Sequence, residues 1–309
     1  MDGSKFIVRG ASAGDVNFPT RFAILNGWRP FGPNDLSCAY AFDPSGFFVG
    51  ELNGEVISHV NAVKYPGHSI HIGCFVVQKE HSGKGYGKQT WDSAWKTLDH
   101  SCTIGLDSRS YMIPKFESYG FCAVWENSVA LLNFERIVEN LGSADLPSGF
   151  QLRPIRAVDA EKLYVYDASV FGSPRRTLVE KWISIPGSLG WVALDDNGDI
   201  VGYTVVRPII VGAGTQFGLS MAPLYANSDQ IARALLVEAA QTCRANEAIP
   251  VTNFLLIHGH GSAYGEHASQ LFSKVEGDRS PFATRMYTKG IPKGVQLSKM
   301  YGIMHPAFD

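Results

Sequence analysis

Two stretches of the chain repeat one alternation of apolar and polar positions. GFFVGELNGEVISHVNAV (46–63) reads as a strand, an Asn-Gly turn and a second strand. GWVALDDNGDIVGYTVV (190–206) repeats it at an offset of 144 residues, with Asn197-Gly198 falling on Asn53-Gly54. Asn-Gly tolerates the positive φ values that tight hairpins demand. The same offset lays FQLRPIRAVD on FIVRGASAGD, so that Phe150, Arg153 and Asp159 meet Phe6, Arg9 and Asp15. Two matches at one offset predict two copies of one unit, residues 1–142 and 150–309, joined near the Gly-, Pro- and Ser-containing ENLGSADLPSG (139–149). Within a copy the order is strand, helical stretch, hairpin, strand, loop, helix and further strands. That order predicts an α/β (α+β) fold class, each copy a mixed, mostly antiparallel sheet flanked by helices.

One segment departs from the alternation. HIGCFVV (71–77) is almost continuously apolar and leads into EHSGKGYGKQ (80–89), after which Trp91, Ala94, Trp95 and Leu98 fall on one helical stripe. A strand feeding a glycine turn that opens a helix gathers free backbone N–H groups and the positive helix end at one point, where a phosphate can sit. A nucleotide P-loop fails on spacing, because Ser82 holds the place of its first glycine and Gln89 that of its Ser/Thr. A dinucleotide fingerprint fits Gly83 and Gly85 but meets Lys88 where the third glycine belongs. In the second copy the same offset gives Asn227–Ile231, with no glycine and with Asp229 opposite Gly85. A carboxylate there repels a diphosphate, whereas Ser228 or Asp229 suits a helix N-cap. One anion site per chain is therefore expected, in the first copy.

Composition narrows the partners. The 309 residues carry a formal net charge of −2 with no long Lys/Arg run, so no nucleic-acid partner is expected. No stretch approaches the roughly 18 apolar residues that cross a bilayer, and the N-terminus lacks the apolar core of a signal peptide, so no membrane partner and a cytoplasmic location are expected. Five cysteines without a CxxC pair read as reduced, mostly buried thiols. Cys74, sharing a strand face with Ile72 and Val76, reads as buried rather than as a covalent acetyl carrier. His258, His260 and His267 in HGHGSAYGEH lack companion cysteines or carboxylates at ligand spacing, so no metal is expected.

The run from Val77 to Gly87, V-x-x-x-H-S-G-K-G-Y-G, resembles the pyrophosphate loop of the GCN5-related N-acetyltransferase (GNAT) family, usually Q/R-x-x-G-x-G/A. IPKFESYGF (113–121) is similar to the family's later helix and its Gly-Phe ending, and DPSGFFVGEL (43–52) to its second strand. Ser82 departs from the usual Gln/Arg, and Phe116 stands where many members place a tyrosine that protonates the leaving thiolate. In the second copy YDASVFGSPR (166–175), IVGYTVVRP (200–208), APLYANS (222–228) and TRMY (284–287) resemble the C-terminal domain of bacterial acetyltransferases of the YitH and HolE type.

The resemblance implies acetyl-CoA as co-substrate, held by the backbone of Phe75, Val76 and Val77 and by the loop residues Ser82, Gly83, Lys84, Gly85, Tyr86, Gly87 and Lys88. It also implies direct attack by an amine in a ternary complex, with the Val77 N–H polarising the thioester carbonyl. Alternation puts His71, Gly73, Phe75 and Val77 on one face, making His71 a candidate base. Asp35, in NGWRPFGPNDL (26–36), and Glu51 are acidic candidates for the same task or for holding the acceptor's charge. Tyr111 or Tyr119 could replace the missing tyrosine as acid. The expected acceptor is a small-molecule amine. A protein amine, or a CoA-binding sensor without catalysis, are the alternatives, and monomer and homodimer both fit a chain with two copies.

Overall fold

The computed structural model describes residues 5–28, 30–67, 69–260 and 266–309. The first half runs β1 (Phe6–Gly10), α1 (Asn17–Leu25), α2 (Asp35–Phe42), β2 (Phe47–Leu52), β3 (Glu55–Tyr65), β4 (Ser69–Val77), α3 (Tyr86–Trp95), β5 (Thr103–Ser108), α4 (Ile113–Glu117), β6 (Cys122–Asn133) and α5 (Phe134–Leu141). The second half repeats it: β7 (Gln151–Pro154), α6 (Ala160–Phe171), α7 (Arg176–Ile183), β8 (Leu189–Leu194), β9 (Ile200–Val211), β10 (Gln216–Ala226), α8 (Asp229–Ala245), β11 (Asn253–His260), α9 (Glu266–Phe272) and β12 (Glu276–Tyr287). A short β13 (Met300–Gly302) follows.

From the first strand to the sixth the order of elements is the same in both halves, but the sheet joins them. Its strand order is β1-β2-β3-β4-β5-β12-β6-β11-β10-β9-β8-β7, so the sixth strand of each half lies beside the fifth strand of the other. β6 and β12 pair antiparallel at the centre, and β4–β5 and β10–β11 are parallel pairs in a mostly antiparallel sheet. Each half completes its sheet with a strand from its neighbour.

Local chemistry accounts for the punctuation. Asn53 (φ 53) and Gly54 (φ 90) form a two-residue turn with both residues left-handed. In the second copy only Gly198 (φ 75) is left-handed, and Asp195 Oδ1 accepts the N–H groups of Asn197 (3.0 Å) and Asp199 (2.8 Å), closing a longer loop. Ser228 caps α8 by accepting the Ile231 N–H, as its position opposite the glycine turn suggested. The cysteines are all free, and all but Cys122 are buried. Among the described residues no helix is long and apolar enough to cross a membrane.

Candidate functional site

The site begins where two parallel strands part. β4 and β5 pair from Ser69/Thr103 to Ile72/Leu106, and the ladder ends there. One residue later β4 bulges: its register with β3 shifts between His59 and Asn61, and Cys74 takes φ 44. An extra residue in a strand inverts the face of everything beyond it. Ile70, Ile72 and Phe75 accordingly pack with Trp91 of α3, while Cys74 and Val76 join the core on the opposite side. The expected common face of His71, Gly73, Phe75 and Val77 is therefore corrected: His71 and Gly73 lie on the side away from Phe75. Past the bulge, Gln78 N–H bonds Ile57 O at 2.8 Å. Because successive strand amides point to opposite edges, the Val77 N–H turns toward the gap that β5 has left.

The glycine turn sits at the end of this strand. Gly85 (φ 85, ψ −6) is the N-cap of α3 and Gly83 has φ 76. A Cβ at either would meet nothing within 4 Å, so these positions need glycine for backbone conformation and face open space. At Gly87 the reason differs, since a Cβ would lie 2.8 Å from Val77 Cγ2 and 3.2 Å from the Phe75 ring; glycine lets α3 settle on β4. Ser82, Lys84 and Lys88 are exposed, Lys88 pairs with Asp92, and Tyr86 packs its ring 4.7 Å from that of Phe6. The open cradle of amides at a helix N-terminus fits a diphosphate.

Beside the cradle lies a cavity of about 330 Å³. Phe75 and Val77 of β4, Phe116 of α4 and the loop residues Trp28 and Phe31 form its first-half walls. The second half supplies the rest. Phe282 and Ala283 line it where the β12 register shifts between Pro281 and Ala283, a bulge that re-aims a side chain. Pro306 and Ala307 close it from the C-terminal segment.

That segment is fastened carbonyl by carbonyl. His71 Nε2 bonds Pro306 O (3.0 Å), Asn61 Nδ2 donates to Ala307 O (2.7 Å), Tyr65 OH donates to Phe308 O, and Arg285 Nη2 donates to Asp309 O (2.6 Å). Just before it, β13 pairs with β10 at Leu224 and Tyr225, and Ile303 N–H bonds Ile257 O of β11 (3.0 Å). β10 and β11 pair only at Ser220/Leu255, so the gap equivalent to the β4–β5 opening is filled by the chain itself.

The remaining sequence candidates fall elsewhere. Asp35 is fully buried: its Oδ1 lies 2.9 Å from Arg207 Nη1, its Oδ2 accepts the Gly32 N–H at 2.6 Å, and His305 Nε2 stands 3.3 Å away. Glu51 pairs with Arg9 at 2.9 Å near the surface. His71 is buried, and burial, with Arg285 nearby, pushes its pKa down to about 3. It is a neutral anchor for the C-terminal segment, and none of these three lines the cavity. Tyr111 does line it and is 80% exposed, whereas Tyr119 OH donates to Asp92 Oδ1 (3.1 Å). Phe116 is at the wall as expected, without a hydroxyl. Burial raises the Cys74 thiol above its usual range, in keeping with a packed side chain. His258 is buried and bonds Gly259 O, His267 packs on Tyr301, and residues 261–265 between them, like the His260 side chain, lie outside the described residues.

Sequence reasoning missed Asp107, Phe282, Pro306 and Ala307. Asp107 accepts Arg285 Nε (2.8 Å), Arg285 Nη2 (3.0 Å) and Asn127 Nδ2 (2.8 Å). Arg285 belongs to the TRMY run already singled out, but its partner is 178 residues away and left no local signal.

The two halves match the acetyltransferase (GNAT) family over residues 19–121 and the acetyltransferase (GNAT) domain over residues 163–301. The chain belongs to the GNAT family. Relatives include the holothin acyltransferase of Pseudoalteromonas sp. (strain SANK 73390), 26% identical over 231 residues, covering 74% of this chain and 72% of that protein. The uncharacterized N-acetyltransferase YitH of Bacillus subtilis is 23% identical, with 69% and 71% covered. Among solved structures, a candidate acetyltransferase of Pyrococcus horikoshii has TM-score 0.70 at 16% identity, covering 100% of this chain and 97% of that one. A tandem GNAT protein from the clavulanic acid biosynthesis pathway has TM-score 0.62 at 13% identity, with 92% and 98% covered. This GNAT chain is thus a tandem member, and the two curated relatives above are named as an acyltransferase and an N-acetyltransferase.

Proposed function

We propose that the chain is an acetyl-CoA-dependent N-acetyltransferase that acetylates the amine of a small molecule by direct attack. In this reading residues 1–142 bind the co-substrate and residues 150–309 form a degenerate copy that completes the acceptor cavity. The observation that carries it is the exposed Gly83–Gly87 bend beside the parted β4 and β5, with the cavity of about 330 Å³ at their fork. The amides of Gly83, Gly85 and the first turn of α3 would hold the diphosphate, and Phe75 to Val77 would hold the pantetheine arm by their backbone. When bound, acetyl-CoA supplies an activated acetyl thioester. The Val77 N–H, aimed into the gap, polarises a carbonyl oxygen placed there, and the fixed walls hold the amine against it.

The second copy has neither part: its loop lacks glycine and β13 fills its gap, which supports a single co-substrate site per chain. Phe116 and the engaged carboxylates favour chemistry that draws little on side-chain acids or bases, since a thiolate leaves without strong assistance. The test is calorimetric titration with CoA, followed by thiol release from acetyl-CoA over a panel of amines. Saturable binding with amine-dependent release is expected. Binding without release from any amine would leave a CoA sensor, and no binding would remove the reading.

A further inference from the structure

The acceptor side of the cavity carries the chemistry of its guest. Its walls are rings and hydrocarbon: Trp28, Phe31 and Phe282 stand around it with Leu106 and Met112. Such walls favour a flat apolar body, since offset and edge-on ring contacts add to the burial of apolar area.

The polar groups are more telling because the two charged ones, Asp107 and Arg109, are already engaged. Among the described residues lining the cavity, Cys74, Asp107, Arg109 and Tyr111 are the titratable ones. Asp107 has a side chain only 4% exposed and takes a bidentate fork from Arg285 and an amide N–H from Asn127, so its negative charge is matched within the fold. Arg109 donates to Phe282 O at 2.7 Å, lies over the Phe282 ring, and adds positive charge at the mouth. Cys74 faces the core, and Tyr111 stands exposed at the rim. An alkylammonium entering here would shed its water against apolar walls, meet no free carboxylate, and pass a guanidinium. Burying an unpaired ion in this way is strongly unfavourable. It would then need a base to remove a proton before it could attack, and neither imidazole beside the bulge lines the cavity: His71 Nε2 is bonded to Pro306 O and His59 Nδ1 to Cys74 O, each at 3.0 Å.

We infer that the acceptor is an aromatic or heteroaromatic amine whose nitrogen is uncharged at neutral pH. The inference rests on the N-acetyltransferase reading and names its substrate class. The ring lies among Trp28, Phe31 and Phe282, and the neutral nitrogen attacks with its own lone pair. A nitrogen–carbon bond forms at the acetyl carbon of the thioester while the carbon–sulfur bond breaks, its electron pair leaving on sulfur. The proton the nitrogen gives up ends on that thiolate through water, so one amide and one thiol result.

p-Toluidine and benzylamine test this directly, being isomers with the same ring, the first neutral and the second protonated at pH 7. With acetyl-CoA at pH 7.5, kcat/KM for p-toluidine should exceed that for benzylamine at least about 10-fold, a difference of about 1.4 kcal/mol. Its profile should be flat from about pH 6.5 to 8.5, while that of benzylamine should climb about 10-fold per pH unit as the free amine appears. Without acetyl-CoA, p-toluidine should quench the emission of the wild-type protein saturably, and Trp28→Leu should weaken that quenching. A preference for benzylamine at pH 7.5, or a rising profile for p-toluidine, overturns the inference and leaves the N-acetyltransferase intact. Thiol release from neither isomer nor from any other amine overturns both.

Discussion

Replacing Gly85 with alanine separates the two demands on this residue. A Cβ there meets nothing within 4 Å, so steric damage to the free protein is excluded; only the left-handed backbone, φ 85, is penalised, at about 1–2 kcal/mol. Gly198 offers a matched control in the other half, with φ 75 and nothing within 4 Å of its Cβ. Both variants should lose the same 1–2 kcal/mol in urea unfolding. They should differ in ligand binding, because the methyl at Gly85 stands in the space a diphosphate would share with the bend. Losing one charge-assisted hydrogen bond costs about 1.5–3 kcal/mol, or roughly 10- to 150-fold in Kd. Calorimetric titration should therefore show CoA weakened by that factor in Gly85→Ala and unchanged in Gly198→Ala. Pantetheine, which has no diphosphate, should bind both variants alike. Wild-type CoA affinity in Gly85→Ala would refute the cradle, and equal losses in the two variants would reduce it to a stability effect.

Gly73→Ala would place a Cβ 2.5 Å from Ala307 Cα and against its carbonyl, so the C-terminal segment must leave its seat; we expect a loss of about 3 kcal/mol in unfolding and faster proteolysis of that segment. Asp35→Asn would leave Arg207 buried without its counter-charge, at a cost of about 3–5 kcal/mol, with the kcat of the folded fraction retained because Asp35 does not reach the cavity. Burial holds His59 at about 4 and His71 at about 3, below the ordinary 6.5, so both are neutral in the fold while the unfolded chain takes up protons below pH 6.5. Their contribution is complete above that pH and falls as the solution is acidified toward pH 4, by up to about 1.4 kcal/mol per pH unit for each histidine. Urea titrations across that range should show a shallower decline for His71→Gln than for the wild type.

The repeat and the glycine turn were legible because each is written locally. An Asn-Gly pair between alternating strands, and glycines between an apolar run and an amphipathic helix, carry their reasons within ten residues. The exchange of β6 and β12 was not legible, since nothing within either strand specifies which fifth strand it joins. The bulge at Cys74 misled the reading of His71, because period-2 reasoning carries no mark for one added residue. Asp35 looked like a free acid by position, yet its partners Arg207 and His305 come from the other half. The C-terminal segment escaped notice because its role rests on main-chain carbonyls, which any sequence supplies.

A crystal structure with CoA bound is the most direct measurement. The diphosphate should lie on the amides of Gly83 to Gly87, the sulfur should point to the fork beside Val77, and β13 should still fill the gap between β10 and β11. A nucleotide bound beside Ser228 in the second half, or a Gly83–Gly87 bend without contact to the diphosphate, would contradict the proposed site.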